Sequence, residues 1–333
     1  MATGKPADSE GARNGSYDVL PEGTIEKNRA CGYSAVLLRG RPGKTMVHIA
    51  GWLALLSFFI TPQGLWCFYF SVKLCSGFAD LEAAFEYPVR AVVIGSIITA
   101  SLSILTFVPF AHLYDQIYKN NPDLRCQPGK THNVDGFARS EVMLAISSLC
   151  LAAVLSAGVC LIAVRWPGWV LVHANPISTP FDALELLVST VLYFLWIDLW
   201  AYVGHRLLHL PFLYRTVHKW HHAYRQPTAF VALGLHPFDM LLIQGGVFVG
   251  LFFVRMHVAA LVANLLYVHY HNVVDHSGVY FESWLPWQPS SLYHDDHHKL
   301  FHVNYGQTLT IWDRLGGTFY STRKKYSEGS FSW

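Results

Sequence analysis

Residues 46–72, 91–113 and 142–164 contain no Asp, Glu, Lys or Arg. Each stretch exceeds the run of about 20 apolar residues needed to cross the roughly 30 Å hydrocarbon core of a bilayer. Backbone N–H and C=O groups find no water in that core, so each stretch is expected to fold as a helix that satisfies its own polar groups. The rest of the composition agrees: 52% of residues are hydrophobic, 14% are charged and the mean hydropathy is +0.28. A fourth stretch, 184–203, carries Glu185 and Asp198 inside an apolar run, and 240–254 and 258–268 are shorter. The last two read as a shallow hairpin. Pro62 interrupts the first stretch.

Orientation follows from Lys and Arg in the short loops, because cytosolic loops retain positive charge. Arg39, Arg41 and Lys44 precede the first stretch, and Lys119, Arg125, Lys130 and Arg139 follow the second. The loop between holds only Lys73 and Arg90 against Asp80, Glu82 and Glu86. The amino terminus is therefore expected in the cytosol, and four crossings return the chain there near His205. Residues 1–45 are polar and lack a secretory signal's apolar core, which reads as a flexible cytosolic tail. Residues 46–180 read as the transmembrane region and 323–333 as a C-terminal tail. A net charge of +2 and the lack of any Lys/Arg run interleaved with aromatics exclude a nucleic-acid partner. The six cysteines form no C-x-x-C pair and read as free thiols.

Fourteen of the 18 histidines fall between His205 and His302. His205 and His209 are four apart, which stacks both rings on one helix face. His218, His221 and His222 form H-x-x-H-H, and His294, His297 and His298 repeat it. Eight imidazoles exceed what one tetrahedral zinc takes and suit two metal ions with room for a further ligand. Imidazole accepts zinc, copper, iron or nickel, so the ligands alone leave the element open; the lipid surroundings favour oxidative chemistry and hence iron. His276, beside Asp275 in a turn-like stretch, and His236, before Pro237, are further candidates. Asp198, Asp295 and Asp296 are the carboxylates expected to orient imidazoles through the second ring nitrogen, whereas Asp239 and Asp313 read as cap or loop residues. The expected fold is an all-α integral membrane bundle of about four spanning helices plus a short hairpin, with a cytosolic His-rich helical cap around a di-metal site. A non-enzymatic metal-binding membrane protein is the remote alternative.

The motifs H-R-L-L-H (205–209), H-K-W-H-H (218–222), H-P (236–237), D-H-S-G (275–278), H-D-D-H-H (294–298) and N-Y-G-Q-x-x-x-x-W-D-R-L-G-G-T (304–318) resemble the fatty acid hydroxylase/sterol desaturase superfamily of membrane di-iron oxidases. P-T-A-F (227–230), H-P-F-D (236–239) and the closing W-D-R-L-G-G look most like its sterol C-5 desaturases. D-H-S-G followed by Val279 and Tyr280 is more similar to C-4 methylsterol oxidases and sterol 25-hydroxylases, and H-D-x-H-H is shared with sphingoid-base C-4 hydroxylases. The resemblance implies a catalytic domain at 181–322 that holds two irons, uses O2, and oxidises a lipid, most readily a sterol. It further implies an endoplasmic reticulum enzyme with its site facing the cytosol, fed electrons from NAD(P)H through cytochrome b5 and its reductase.

Overall fold

A computed structural model describes residues 88–130, 138–166, 168–283 and 285–320. The expected span at 46–72 and the tails at 1–45 and 323–333 lie outside the described residues. In chain order the elements are α1 (Pro88–Asn120), α2 (Ala138–Arg165), β1 (Val172–His173), α3 (Pro180–Leu208), α4 (Pro211–Thr216), α5 (Pro237–Gly250), β2 (Met256–His257), α6 (Val258–His276), α7 (Leu292–Leu300) and α8 (Ile311–Leu315). Short 3-10 helices at His218–Ala223 and Ala229–Leu233 fill the gap between α4 and α5.

The described chain is a helical bundle, and Pro88–Asn120, Glu141–Ala163 and Pro180–Leu208 are long and apolar enough to cross a membrane. These helices contain the stretches 91–113 and 184–203 and all but the last residue of 142–164. Their outward faces carry large apolar side chains in the open, including Phe181 (82% exposed), Leu187 and Val191 on α3. So continuous an apolar surface is unfavourable in water and suits lipid. The start of α3 is fixed locally. Thr179 Oγ1 accepts from the Asp182 backbone N–H (3.2 Å), Asp182 Oδ2 accepts from the Thr179 N–H (2.8 Å), and Pro180 opens the first turn.

The α5–α6 hairpin is deeper than the sequence suggests. Its tip pairs with the α2–α3 connection through the parallel β1–β2 ladder, Val172 opposite Met256. Arg255 donates there to Glu185 near the start of α3 (2.9 Å). From Val258, α6 continues through His269 to His276, about 28 Å of helix at 1.5 Å per residue. The apolar run ends early because Asn264, His271 and Asp275 interrupt it, yet all three are turned into the protein and buried.

α3 and α5 are held by hydrogen bonds unusual for a helix pair. Tyr193 OH donates to Val247 O (2.9 Å), Trp196 Nε1 to Gly246 O (2.8 Å) and Trp200 Nε1 to Leu242 O (2.7 Å). Both indoles reach the α5 backbone because Gly246 and Gly250 lack a Cβ, which would strike Trp200 and Trp196 respectively. Small residues at a membrane helix contact allow this close approach. Gly246→Ala is expected to destabilise the chain by roughly 1–3 kcal/mol, read as a lower melting temperature in detergent. Gly245→Ala, where no atom lies within 4 Å of the added carbon, is the matched control.

The second half of the bundle carries the histidines at one end. The P-T-A-F segment forms the buried 3-10 helix Ala229–Leu233 between α1, α2 and α6. Thr228 Oγ1 donates to Glu141 on α2 (2.9 Å), and Asn272 Nδ2 on α6 donates to Ala232 O (3.0 Å). Around it pack Phe107, Tyr114, Phe230, Tyr270 and Val274. Gly278 ends α6 at φ +69°, where a Cβ would lie 2.7 Å from Gln226 Nε2, and its carbonyl accepts from the Cys126 N–H (2.9 Å). The glycine of D-H-S-G is thus a backbone requirement that turns the chain immediately after His276.

Candidate metal centre

Nine buried histidines converge in two groups. His205, His209, His218, His222 and His297 form one; His221, His276, His294 and His298 form the other. Within each group every residue brings a ring nitrogen within 4.8 Å of the others. The two H-x-x-H-H boxes are divided between the groups by their spacing. On α7, His294 and His298, four apart, serve the second group while His297 serves the first; at His218–Ala223, His218 and His222 serve the first while His221 serves the second. That segment is a 3-10 helix, in which positions three apart eclipse, and the His218 and His221 rings stack accordingly at 5.3 Å. His276 sits on the last residue of α6, where a turn was expected.

Each group has a hub. His222 Nε2 lies 3.1 Å from both His209 Nε2 and His297 Nε2. His276 Nε2 lies 3.3 Å from His221 Nε2 and 3.0 Å from His294 Nε2. The opposite ring nitrogens of several are committed to oxygen acceptors: His205 Nδ1 donates to Tyr305 O (2.9 Å), His276 Nδ1 to Asn272 O (2.7 Å) and His297 Nδ1 to Val303 O (2.6 Å). A carbonyl can only accept, so these rings carry their proton on Nδ1 and present a bare Nε2 lone pair inward. Nε2 of His205 and His218, Nδ1 of His221, His222 and His294, and both nitrogens of His298 are buried without a hydrogen-bond partner. In each buried cluster the Nε2 atoms of three rings meet at 3.0–3.3 Å, an arrangement that fits a metal ion as their common partner.

Electrostatics favour the same state. Burial, and then the neighbouring imidazoles, push His209, His221, His222, His294, His297 and His298 well below the usual histidine range. Burial alone takes His218 to about 3. Neutral imidazole is the ligating form.

The carboxylates divide differently from the sequence expectation. Asp198 touches no imidazole. Its Oδ1 accepts from the Thr308 N–H (2.9 Å), and its Oδ2 from the Leu309 N–H (3.2 Å) and Trp312 Nε1 (2.8 Å). Asp313, read as a loop residue, accepts from the Tyr305 N–H (2.9 Å), the Gly306 N–H (2.6 Å), Thr318 Oγ1 (2.6 Å) and Tyr293 OH. Together they clamp the N-Y-G-Q…W-D-R loop, whose Tyr305 carbonyl orients His205. Asp239, read as a cap, meets His218 Nδ1 at 3.2 Å with both side chains buried. Nothing in the spacing of Asp239 to His218 signals that pair, because it closes through the turn between two elements.

Asp295 and Asp296 lie on α7 among the ligands. Burial and then Asp296 push Asp295 up to about 8, and burial takes Asp296 to about 7. Asp295 is buried beside the Gln127 amide, which also donates to Arg225 O (3.0 Å). His236 is brought to neither group. It caps α5, its Nδ1 accepting from the Phe238 N–H (3.2 Å), and its ring lies against Trp220. Proline at 237 sets up that helix start, which is why the H-P pair stands out in sequence without feeding the centre. Asp239→Asn is expected to weaken metal binding by about 10–100-fold, measured by competition with a chelator, because a neutral amide replaces the acceptor that orients His218.

Fold and geometry together define a membrane helical bundle whose nine-imidazole cage is compatible with a two-centre metal site. The comparisons give that class its relatives. Residues 190–318, which include all nine histidines, match the fatty acid hydroxylase family. Human lathosterol oxidase is 28% identical over 197 residues, 59% of this chain and 65% of that protein. The Delta(7)-sterol 5(6)-desaturase of Saccharomyces cerevisiae is 31% identical over 135 residues, 40% of this chain and 37% of that protein. Methylsterol monooxygenase 1 of Rattus norvegicus is 34% identical over 125 residues, 36% and 43% respectively. The chain therefore spans 65% or less of the length of these relatives. No solved structure matches. The family model thus matches the segment that carries the nine histidines, less than half of the chain.

Proposed function

We propose that the chain is a membrane di-iron oxidoreductase that desaturates a sterol in the manner of a sterol C-5 desaturase, with residues 181–322 as its catalytic domain. The observation that carries this reading is the pair of buried imidazole groups, in which Nε2 atoms meet at 3.0–3.3 Å around His222 and around His276. His205, His209, His218, His222 and His297 hold one iron, and His221, His276, His294 and His298 the other. Bound iron supplies the O2-dependent oxidation of an unactivated C–H bond, which no side chain here can perform. The protein's part is positional. The Tyr305 and Val303 carbonyls and Asp239 fix ring orientations, Asp198 and Asp313 hold the loop that carries those carbonyls, and the spanning helices keep the apolar substrate in lipid beside the site. Asp295 and Asp296 are the acidic groups available to exchange protons near the ligands.

Electrons come singly from NAD(P)H through cytochrome b5 and its reductase, and the enzyme sits in the endoplasmic reticulum with the histidine end in the cytosol. The Lys/Arg pattern supports that orientation. The test is sterol profiling of a host that accumulates Δ7 sterol. Conversion to the Δ5,7 product by the intact chain and not by His297→Ala is the expected result. Removal of C-4 methyl groups instead, the reaction named for the methylsterol monooxygenase relative, would reassign the substrate position. New hydroxylated sphingolipids with unchanged sterols would overturn the sterol reading.

A further inference from the structure

On the face of α7 turned away from the metal-binding rings lies a cleft of about 330 Å³, closed by loop 286–290, α8 and residues 319–320. Three of its features point to a ligand. Gln288 is 6% exposed; its Oε1 accepts from Tyr267 OH (2.8 Å), yet its Nε2 is buried with no partner among the described residues. A buried amide donor without an acceptor is costly, and it persists where something else supplies one. Asp296 and Arg314 share the cleft wall but form no ion pair with each other among the described residues. Arg314 Nε instead donates to Thr310 Oγ1 (3.2 Å), with its guanidinium over the Phe319 ring. Finally, Trp287 is half exposed at the cleft rim, its Nε1 donating to Tyr267 OH (3.0 Å), and Tyr293 and Phe319 add aromatic surface.

We propose that this cleft binds the zwitterionic phosphodiester–ammonium headgroup of a membrane phospholipid. The phosphodiester lies toward Arg314 and the Gln288 amide, and the ammonium toward Asp296 and the aromatic rings, whose faces attract cations. Opposite charges that share one cleft without meeting are what such a group bridges. A purely anionic headgroup meets Asp296 unfavourably, and a lone hydroxyl leaves both charges unanswered. Trp312 and Gly316, beside the cleft, are tied to Asp198 and Arg206 in the last third of α3, which places the cleft near one end of a membrane-capable helix. α7 stands between the cleft and the imidazoles, and Asp296 belongs both to the cleft wall and to the acidic pair proposed above.

The experiment is native mass spectrometry of the full metal-loaded chain released from micelles containing equal amounts of phosphatidylcholine, phosphatidylglycerol and cholesterol. Phosphatidylcholine is expected to be retained preferentially, and retention should fall about tenfold in Arg314→Gln and in Gln288→Leu, the loss of one good polar contact. Metal content equal to the unaltered chain shows that each variant is folded. Soluble glycerophosphocholine should displace the lipid only weakly. Preferential retention of phosphatidylglycerol or cholesterol, unchanged phosphatidylcholine retention in both variants, or equally tight binding of glycerophosphocholine would each overturn the proposal.

Discussion

Replacing His222 by alanine is expected to take the bound metal from about two ions per chain to about one or fewer, and to abolish lipid oxidation. His222 is the residue whose single nitrogen faces two other ligands of its group at 3.1 Å, so its loss opens the middle of that cage. The remaining rings of that group keep their backbone hydrogen bonds at His205 and His297 and cannot rotate freely to close the gap. The second group shares no residue with the first, which is why partial metal retention is expected. His236→Ala is the informative comparison. Its imidazole caps α5 outside both groups, so metal content should be unchanged and the cost confined to about 0.5–2 kcal/mol of stability. Elemental analysis of the two purified variants checks both statements; equal metal loss in both would place His236 in the centre and contradict the structure.

The second large effect is on stability. Removing metal leaves the buried Nε2 atoms of His205 and His218 with no partner among the described residues, each carrying a desolvation cost of about 1–3 kcal/mol. It also brings His222 and His276 into contact with further lone pairs that no cation screens. A ligand that binds only the folded state stabilises it by about 4 kcal/mol when present at a thousand times its dissociation constant. For a chain of this size that corresponds to a fall in melting temperature of roughly 10 °C on chelation. The measurement is thermal melting in detergent before and after a strong chelator, with re-addition of Fe(II) to restore the transition. A melting temperature insensitive to chelation would mean that the orphaned nitrogens are satisfied in some other way.

Much of this architecture is legible in the residues. Hydropathy alone delimits α1, α2 and α3, because the cost of burying a charge in lipid leaves a plain record in sequence. The eight box histidines are equally visible, since a helical repeat of three and four places rings on one side of a turn. The same repeat contains the division of each H-x-x-H-H box between two groups, although only the packed structure reveals which ring goes where. What the sequence hides is contact between distant segments. α6 was foreshortened because its buried polar residues mimic the end of an apolar run. Asp239 and Asp313 looked like cap or loop residues, yet one meets His218 and the other gathers three donors of the closing loop and the Tyr293 hydroxyl of α7. Trp312 likewise donates to Asp198 from within that loop. His236 erred in the other direction: a histidine before a proline is conspicuous, but the proline's local role in starting α5 accounts for it.

The most direct measurement is iron quantification of the purified, reconstituted chain combined with X-ray absorption at the metal edge. About two ions per chain, each in a shell dominated by imidazole nitrogen, is the predicted result. A single ion per chain, or a shell of oxygen or sulfur without the imidazole signature, would contradict a cage built from His205, His209, His218, His222 and His297 on one side and His221, His276, His294 and His298 on the other.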